Sequence, residues 1–376
     1  MKPSSIIFLL FIGLLSCDTK RKTITRFEDY ESYLGPVKLI SNDPLHEELK
    51  FWEERLKANS NDETSLVKLG AIHAQLFKST GSVKHILISD SLFTEVLKNY
   101  PKGNVEIYHS LSTNAITEHQ FQKAKNYVEK ALGLKDKKAT SLLMLVDVSL
   151  EVGDYATANL ILQDFKNKNS FAYLIRKAKI KDHEGFLDSA IVCMEKAYQR
   201  IEGNKILSQW TLSNLADMYG HAGRIEESYA LYLDVLKDNP RDDYALKGIA
   251  WIALSHDLNT KAAKTIINEL AARKHLPEAH LMLAEIAECD GDEKEKASQL
   301  KKFKSLVSSP ESKSMYHKYL ATLEAEEFSN PAAAVAIAHE EIANRPTPQS
   351  YDLLAWGYYH QKKFREALLL ATGHVE

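Results

Sequence analysis

Along most of the chain one arrangement of apolar and small positions returns. An apolar residue is followed by a small one, and twelve residues later a second small residue appears. The first pair reads Leu111-Ser112, Leu145-Val146, Lys177-Ala178 (apolar member missing), Leu215-Ala216, Ile249-Ala250, Leu283-Ala284, Ala321-Thr322 and Leu354-Ala355. Successive copies are 34, 32, 38, 34, 34, 38 and 33 residues apart. The second small position holds Ala124, Ala158, Ala190, Ser228, Ala262, Ala334 and Ala367, with Lys296 as the one misfit. Apolar residues around these points follow helical spacing. Two helices that cross closely need small side chains at the crossing. The pattern therefore predicts an all-α chain built from repeated antiparallel helix pairs.

The period and its residues resemble the tetratricopeptide repeat, a helix–turn–helix unit of 34 residues. The likeness is strongest over 209–242, with Leu212, Leu215, Ala216, Tyr219, Gly223, Ser228, Tyr232 and the closing Pro240. It is strong again over 348–371, with Tyr351, Leu354, Ala355, Tyr358, Phe364 and Ala367. The resemblance implies an α-solenoid of about eight to nine units forming a right-handed superhelix. Units are expected at 105–138, 139–170, 171–208, 209–242, 243–276, 277–314, 315–347 and 348–376.

Ahead of these, residues 42–104 read as a capping helix and a degenerate unit. Asp43-Pro44 offers an N-cap and a first-turn proline to a helix holding Trp52. Leu69-Gly70 and Phe93, Val96, Leu97 and Pro101 mark the degenerate unit, whose turn the stretch 78–86 is expected to lengthen. At the far end the chain stops inside an expected second helix, leaving Leu368, Leu369, Leu370 and Val375 without the polar capping helix that solenoids use. A truncated form is the leading expectation. Self-association, or docking of this end onto a partner, is the alternative.

Residues 1–17 read MKPSSIIFLLFIGLLSC, with a positive start and an apolar run over Ile6–Leu15. That run is too short to span a bilayer. Leu14-Leu15-Ser16-Cys17 resembles a bacterial lipobox. This implies a signal peptide over 1–16, lipidation of Cys17 and a membrane-anchored lipoprotein of the cell envelope, inner or outer membrane undecided. Residues 17–41 lack helical periodicity and read as a tether, solvated or laid through Lys20, Arg21, Lys22 and Arg26 on anionic headgroups. Surface-exported lipoproteins of the Bacteroidota type often carry an acidic run after the cysteine, and this basic run departs from that pattern.

Composition adds exclusions. In 376 residues, 48 Lys+Arg stand against 51 Asp+Glu, so the chain carries no basic footprint for nucleic acid. Cys193 and Cys289 fall within helical patterns and read as buried, unpaired side chains. Phosphate loop, HExxH, CxxC and GxSxG motifs are absent, so no cofactor, metal or catalytic residue is expected and the chain reads as a non-enzyme. The adjacent carboxylates Glu226-Glu227, Glu326-Glu327 and Glu340-Glu341 read as solvated helix faces.

In tetratricopeptide arrays the first helices line the concave face. Carried over position by position, this resemblance places Trp210, Tyr244, Trp251, Glu285, Glu288, Tyr316, Tyr319, Trp356 and Tyr359 in a candidate partner groove. The earlier units are plainer and read as a spacer that holds the aromatic half away from the membrane. The expected role is a lipid-anchored scaffold for a protein or peptide partner. The alternative is carbohydrate capture on the aromatic strip.

Overall fold

The computed structural model of the chain describes residues 22–35, 44–100, 104–201 and 203–375. The leader over 1–16, Cys17 and Asp43 lie outside them. The described residues are helical throughout, with no strand among them. After a short helix α1 (Phe27–Tyr30) and a capping helix α2 (Pro44–Ala58), nine antiparallel pairs follow. Units 1–3 are α3/α4 (Glu63–Thr80, Val83–Asn99), α5/α6 (Val105–Thr117, Phe121–Gly133) and α7/α8 (Lys138–Glu151, Tyr155–Gln163). Units 4–6 are α9/α10 (Phe171–His183, Leu187–Tyr198), α11/α12 (Lys205–His221, Ile225–Asp238) and α13/α14 (Asp243–Ser255, Thr260–Arg273). Unit 7 is α15/α16 (Glu278–Cys289, Glu293–Val307). A short α17 (Pro310–Lys313) precedes unit 8, α18/α19 (His317–Glu326, Pro331–Asn344), and unit 9 is α20/α21 (Pro348–His360, Phe364–Leu370). This is an all-α solenoid.

Local chemistry sets the helix ends. Asp62, Asp154, Asp242 and Asp292 each accept a backbone N–H three residues on, satisfying a donor that the first turn leaves free. The small positions sit where the pattern puts them: Ser112, Ala124, Ala158, Ala178, Ala190, Ala216 and Ala250 have essentially no exposed surface. Unit 8 departs by one residue. There Leu320 and Ala321 are the buried pair, and Thr322 is partly exposed. The stretch 78–86 does not lengthen a turn either. Its extra residues extend α3 and α4, which meet through Gly81 and Ser82.

The solenoid curves back so that its late units meet its early ones. Turns of the early units touch loops of the late ones across some two hundred residues of sequence. At the tip of unit 1, the His275 amide donates to the Thr80 carbonyl at 3.1 Å. Gly81 adopts φ +70°, and a Cβ there would stand 1.9 Å from the His275 carbonyl oxygen. At unit 2, Ser314 donates to the Glu118 carbonyl at 2.8 Å, and the Phe121 amide donates to Asn344 Oδ1 at 2.8 Å. Asn344 returns its Nδ2 hydrogen to the His119 carbonyl. One side chain thus caps α6 and pins the preceding turn. Arg345 lies 5.1 Å over the Phe121 ring. The early units are therefore packed against loops of the late ones and do not stand apart as a spacer ahead of the aromatic half.

The described part of the expected tether is docked. Thr25 gives its amide and hydroxyl to Asp257 at 2.8 and 2.6 Å, and Ile24 adds its amide at 3.0 Å. Tyr30 is 1% exposed and enters the core formed by α12, α13 and α14. Arg273 holds the Tyr33 carbonyl at 2.6 Å, and Glu269 accepts the Gly35 amide at 3.2 Å. Irregular backbone can be buried this way only if its polar groups find partners, and here acidic side chains and Arg273 supply them. Residues 22–35 form a strap across units 5 and 6. Within it Lys22 pairs with Glu226 and Arg26 with Asp29.

Near the seam one member of an adjacent carboxylate pair is withdrawn from solvent, while its neighbour Glu340 stays exposed. Glu341 is 1% exposed and bonds to His317 at 2.9 Å and to Arg345. Burial opposes its ionisation, but the His317 hydrogen bond and the Arg345 charge outweigh it and hold the carboxyl below the usual range.

Two predictions follow from the seam. Asn344→Ala removes a cap and leaves the part-buried His119 carbonyl unpaired, which costs about 1–3 kcal/mol. Hydrogen exchange should accelerate at residues 118–125 while residues 243–256 keep wild-type protection. The second concerns Glu118, whose carboxyl is pushed up to about 6 by burial and then by Asp90, against the pull of Lys123. A folded-state value above the unfolded one means stability falls as pH rises from about 4.5 to about 6. Glu118→Gln should lack that loss, so its advantage over wild type grows across this window by up to about 2 kcal/mol. His119, whose pKa burial pushes down, titrates in both proteins and cancels from the difference. Denaturation at a series of pH values measures it.

Candidate binding groove

The first helices of units 5 to 8 line a concave cavity of about 830 Å³. Its floor is built by a succession of close contacts. Gly248 leaves room beneath α13 for the Tyr232 ring, since a Cβ there would stand 2.2 Å from that ring. Tyr232 and Tyr244 both donate to Asp217, one to each carboxylate oxygen. Burial and the Asp217 charge push both phenol pKa values up, so both stay protonated donors. Gly220 forms a flat seat for Trp251, with an added Cβ 3.4 Å from its ring. Trp251 keeps 40% of its surface exposed, so it faces the cavity and is not core.

Of the residues expected in the groove, Tyr244, Trp251, Glu285, Glu288 and Tyr319 line this cavity together. Trp356 and Tyr359 lie beyond it, stacked at 5.3 Å between ring centroids. Trp356 joins the cavity wall through its Nε1 hydrogen bond to Glu326 at 2.8 Å. Trp210 is exposed on unit 5 outside the cavity, edge-on to Phe171 at 6.2 Å. Tyr316 does not reach the groove. It is 7% exposed and packs edge-on to Phe303 at 5.7 Å. The cause is the one-residue slip in unit 8: α18 begins at His317, so Tyr316 precedes it in a 3-10 turn.

Several lining residues lie outside the expected set. Lys296, the misfit in the repeat pattern, bridges Glu288 at 2.7 Å and Glu327 at 3.0 Å. Those two hydrogen bonds push its pKa up, and it ties unit 7 to unit 8. A long cation at a position that elsewhere carries Ala or Ser was the available signal. Glu326 and Glu327 remain exposed, and each has a partner, Trp356 and Lys296 respectively. His221, Lys247, Lys318 and Thr322 also line the cavity. Withdrawal from water, then the neighbouring Glu288, holds the Glu285 carboxyl above its usual range. Cys289, expected to be buried, is exposed at the end of α15, and Cys193 is partly buried; both are free thiols. Among the described residues no group of three or more His, Cys, Asp and Glu side chains is placed to hold a metal.

Floor and aromatic face should separate on substitution. Gly248→Ala displaces the Tyr232 ring or forces α13 outward, with the cost of about 1–3 kcal/mol typical of overpacking. Trp251→Ala removes a half-exposed ring and should leave thermal unfolding within about 0.5 kcal/mol of wild type. Calorimetry on the two variants distinguishes them.

No protein-family model matches the chain, and no curated protein matches it. Solved structures resemble its fold. One is the Cut9–Hcn1 hetero-tetramer of APC/C, with 15% identity and a TM-score of 0.51 over 81% of this chain and 58% of that one. Another is a monomeric mutant of IFIT1 with Gppp-AAAA, at 13% identity and a TM-score of 0.51, covering 86% of this chain and 75% of that one. A tetratricopeptide repeat protein from Parabacteroides merdae is 19% identical with a TM-score of 0.38, over 62% of this chain and 91% of that one. At such identities the likeness concerns the fold alone, an all-α solenoid of tetratricopeptide type.

Proposed function

We propose that this chain is a non-catalytic, lipid-anchored scaffold of the bacterial cell envelope that holds a protein or peptide partner in its concave groove. One observation carries the reading. Tyr244, Trp251 and Tyr319 present large exposed surfaces inside a single cavity whose floor is fixed by buried contacts. Rigid aromatic rings on a preorganised surface lose little entropy on binding, and they anchor most of the energy in peptide recognition. The groove offers hydrogen-bonded carboxylates and exposed rings.

Anchoring rests on the lipobox-like Leu14-Leu15-Ser16-Cys17. An acylated Cys17 stands five residues ahead of Lys22, whose partner is Glu226 in unit 5. Attachment would then reach the middle of the array and not its first unit.

The test uses a photoreactive residue in place of Trp251 in cells, with the leader intact. A discrete protein adduct, absent when the probe stands at exposed Lys301 on α16, is the expected result. Mass spectrometry of the membrane fraction should find Cys17 acylated, and Cys17→Ser should release the protein from membranes. Adducts of equal yield at both positions would overturn the groove, and an unmodified Cys17 would overturn the anchor. Soluble glycans that quench Trp251 fluorescence in the absence of any protein adduct would replace the partner reading by sugar capture.

A further inference from the structure

We propose that the groove recognises a lysine or arginine side chain of its partner, with the aliphatic stem on the exposed rings of Trp251 and Tyr319 and the cationic head against Glu285. The inference rests on the groove being the partner surface, and it adds the chemistry that the surface selects.

The argument is a balance of charge inside the cavity. Six carboxylates line it: Asp217, Glu278, Glu285, Glu288, Glu326 and Glu327. Three lysines face them, and only Lys296 is spent on carboxylates, bridging Glu288 and Glu327. Lys247 sits instead on the Tyr244 ring, 5.0 Å from its centroid. Lys318 lines the cavity without an ion pair within 4 Å among the described residues.

None of the remaining acids is paired with a cation within 4 Å among the described residues. Two tyrosine hydroxyls orient Asp217, and the Trp356 indole orients Glu326. Such donors fix a carboxylate in place and leave its charge uncompensated. Glu285 is exposed into the cavity and has not even a neutral donor among the described residues, and its place in the groove beside Glu288 already disfavours its ionised form. A ligand that covered it with uncharged surface would deepen that penalty. An acidic ligand would add repulsion from five further carboxylates. A cation removes the penalty. The rings beside it strengthen the same choice, because an aromatic face attracts a desolvated ammonium or guanidinium within about 6 Å. Lys247 on Tyr244 is an instance of that interaction within the groove itself.

A displayed library of random dodecapeptides, panned on the full-length mature chain, tests this. The expected pool is enriched in Lys and Arg and depleted in Asp and Glu, and Trp251→Ala abolishes its binding. Replacing the key basic residue of a selected peptide by norleucine should weaken binding about tenfold or more. Glu285→Gln should weaken the basic peptide to the same extent and leave the norleucine peptide unchanged, whereas Glu293→Gln on the outer helix α16 should affect neither.

A pool that depends on Trp251 but is neutral or acidic would overturn the cationic preference and leave the groove reading standing. A pool indifferent to Trp251→Ala, or no pool at all, would overturn the groove reading and this proposal with it. Equal losses on Glu285→Gln and Glu293→Gln would reduce the preference to unspecific charge attraction and overturn it as well.

Discussion

Everything in this molecule depends on two helices lying close at one crossing per unit. The crossing is set by side chains too small to hold the axes apart, such as Ala124, Ala158, Ala190 and Ala216, all fully buried. Packed helix axes stand about 8–10 Å apart, and the lower end of that range needs small residues at the contact. Repeated with little variation, the crossing fixes a constant small rotation from unit to unit, and the curvature follows. A curved array has an inner surface, so a groove exists before any residue is chosen to line it. The choice of lining then falls on the inner faces of α11, α13, α15 and α18, which are free of the core.

In an open array each unit contacts only its neighbours and stability is a sum of local terms. Here the curvature carries the late units back onto the early ones, and two devices lock the return. The Asn344 side chain caps α6 from across the seam, and the strap over 22–35 inserts Tyr30 into the core of units 5 and 6. Both join residues more than two hundred positions apart. The groove lies between these fastenings, in units held from both sides. Such contacts add terms between distant units to a stack of local pairs, so stability is no longer a sum over neighbours alone.

Helix pairs were legible in the sequence because each is dictated by residues within 34 positions of one another. The seam was not. Asn344, Ser314 and Gly81 are ordinary turn residues, and periodicity holds no trace of partners so far along the chain. The strap escaped for a related reason: its burial is paid with side-chain acceptors such as Asp257 and Glu269, not with a helical apolar stripe. Counting along unbroken helices put Tyr244, Trp251 and Glu285 on one face, and the three line a single cavity. Counting failed at Tyr316, where α17 and a 3-10 turn break the first helix of unit 8. Lys296 shows that a violated rule can be more informative than a kept one.

The strap also governs how the molecule would answer to force. Its hydrogen bonds to Asp257, Tyr229, Glu269 and Arg273 are distributed along the seated segment and cross two units. Tension entering near residue 22 therefore meets the Lys22–Glu226 pair and the Asp257 cluster first, ahead of Tyr30 and the later contacts. Steady pulling would have to shear or unzip this row before it could reach the first helix of the solenoid. The array would then yield like a clasp, holding its curvature under small loads and losing the strap before it uncoils.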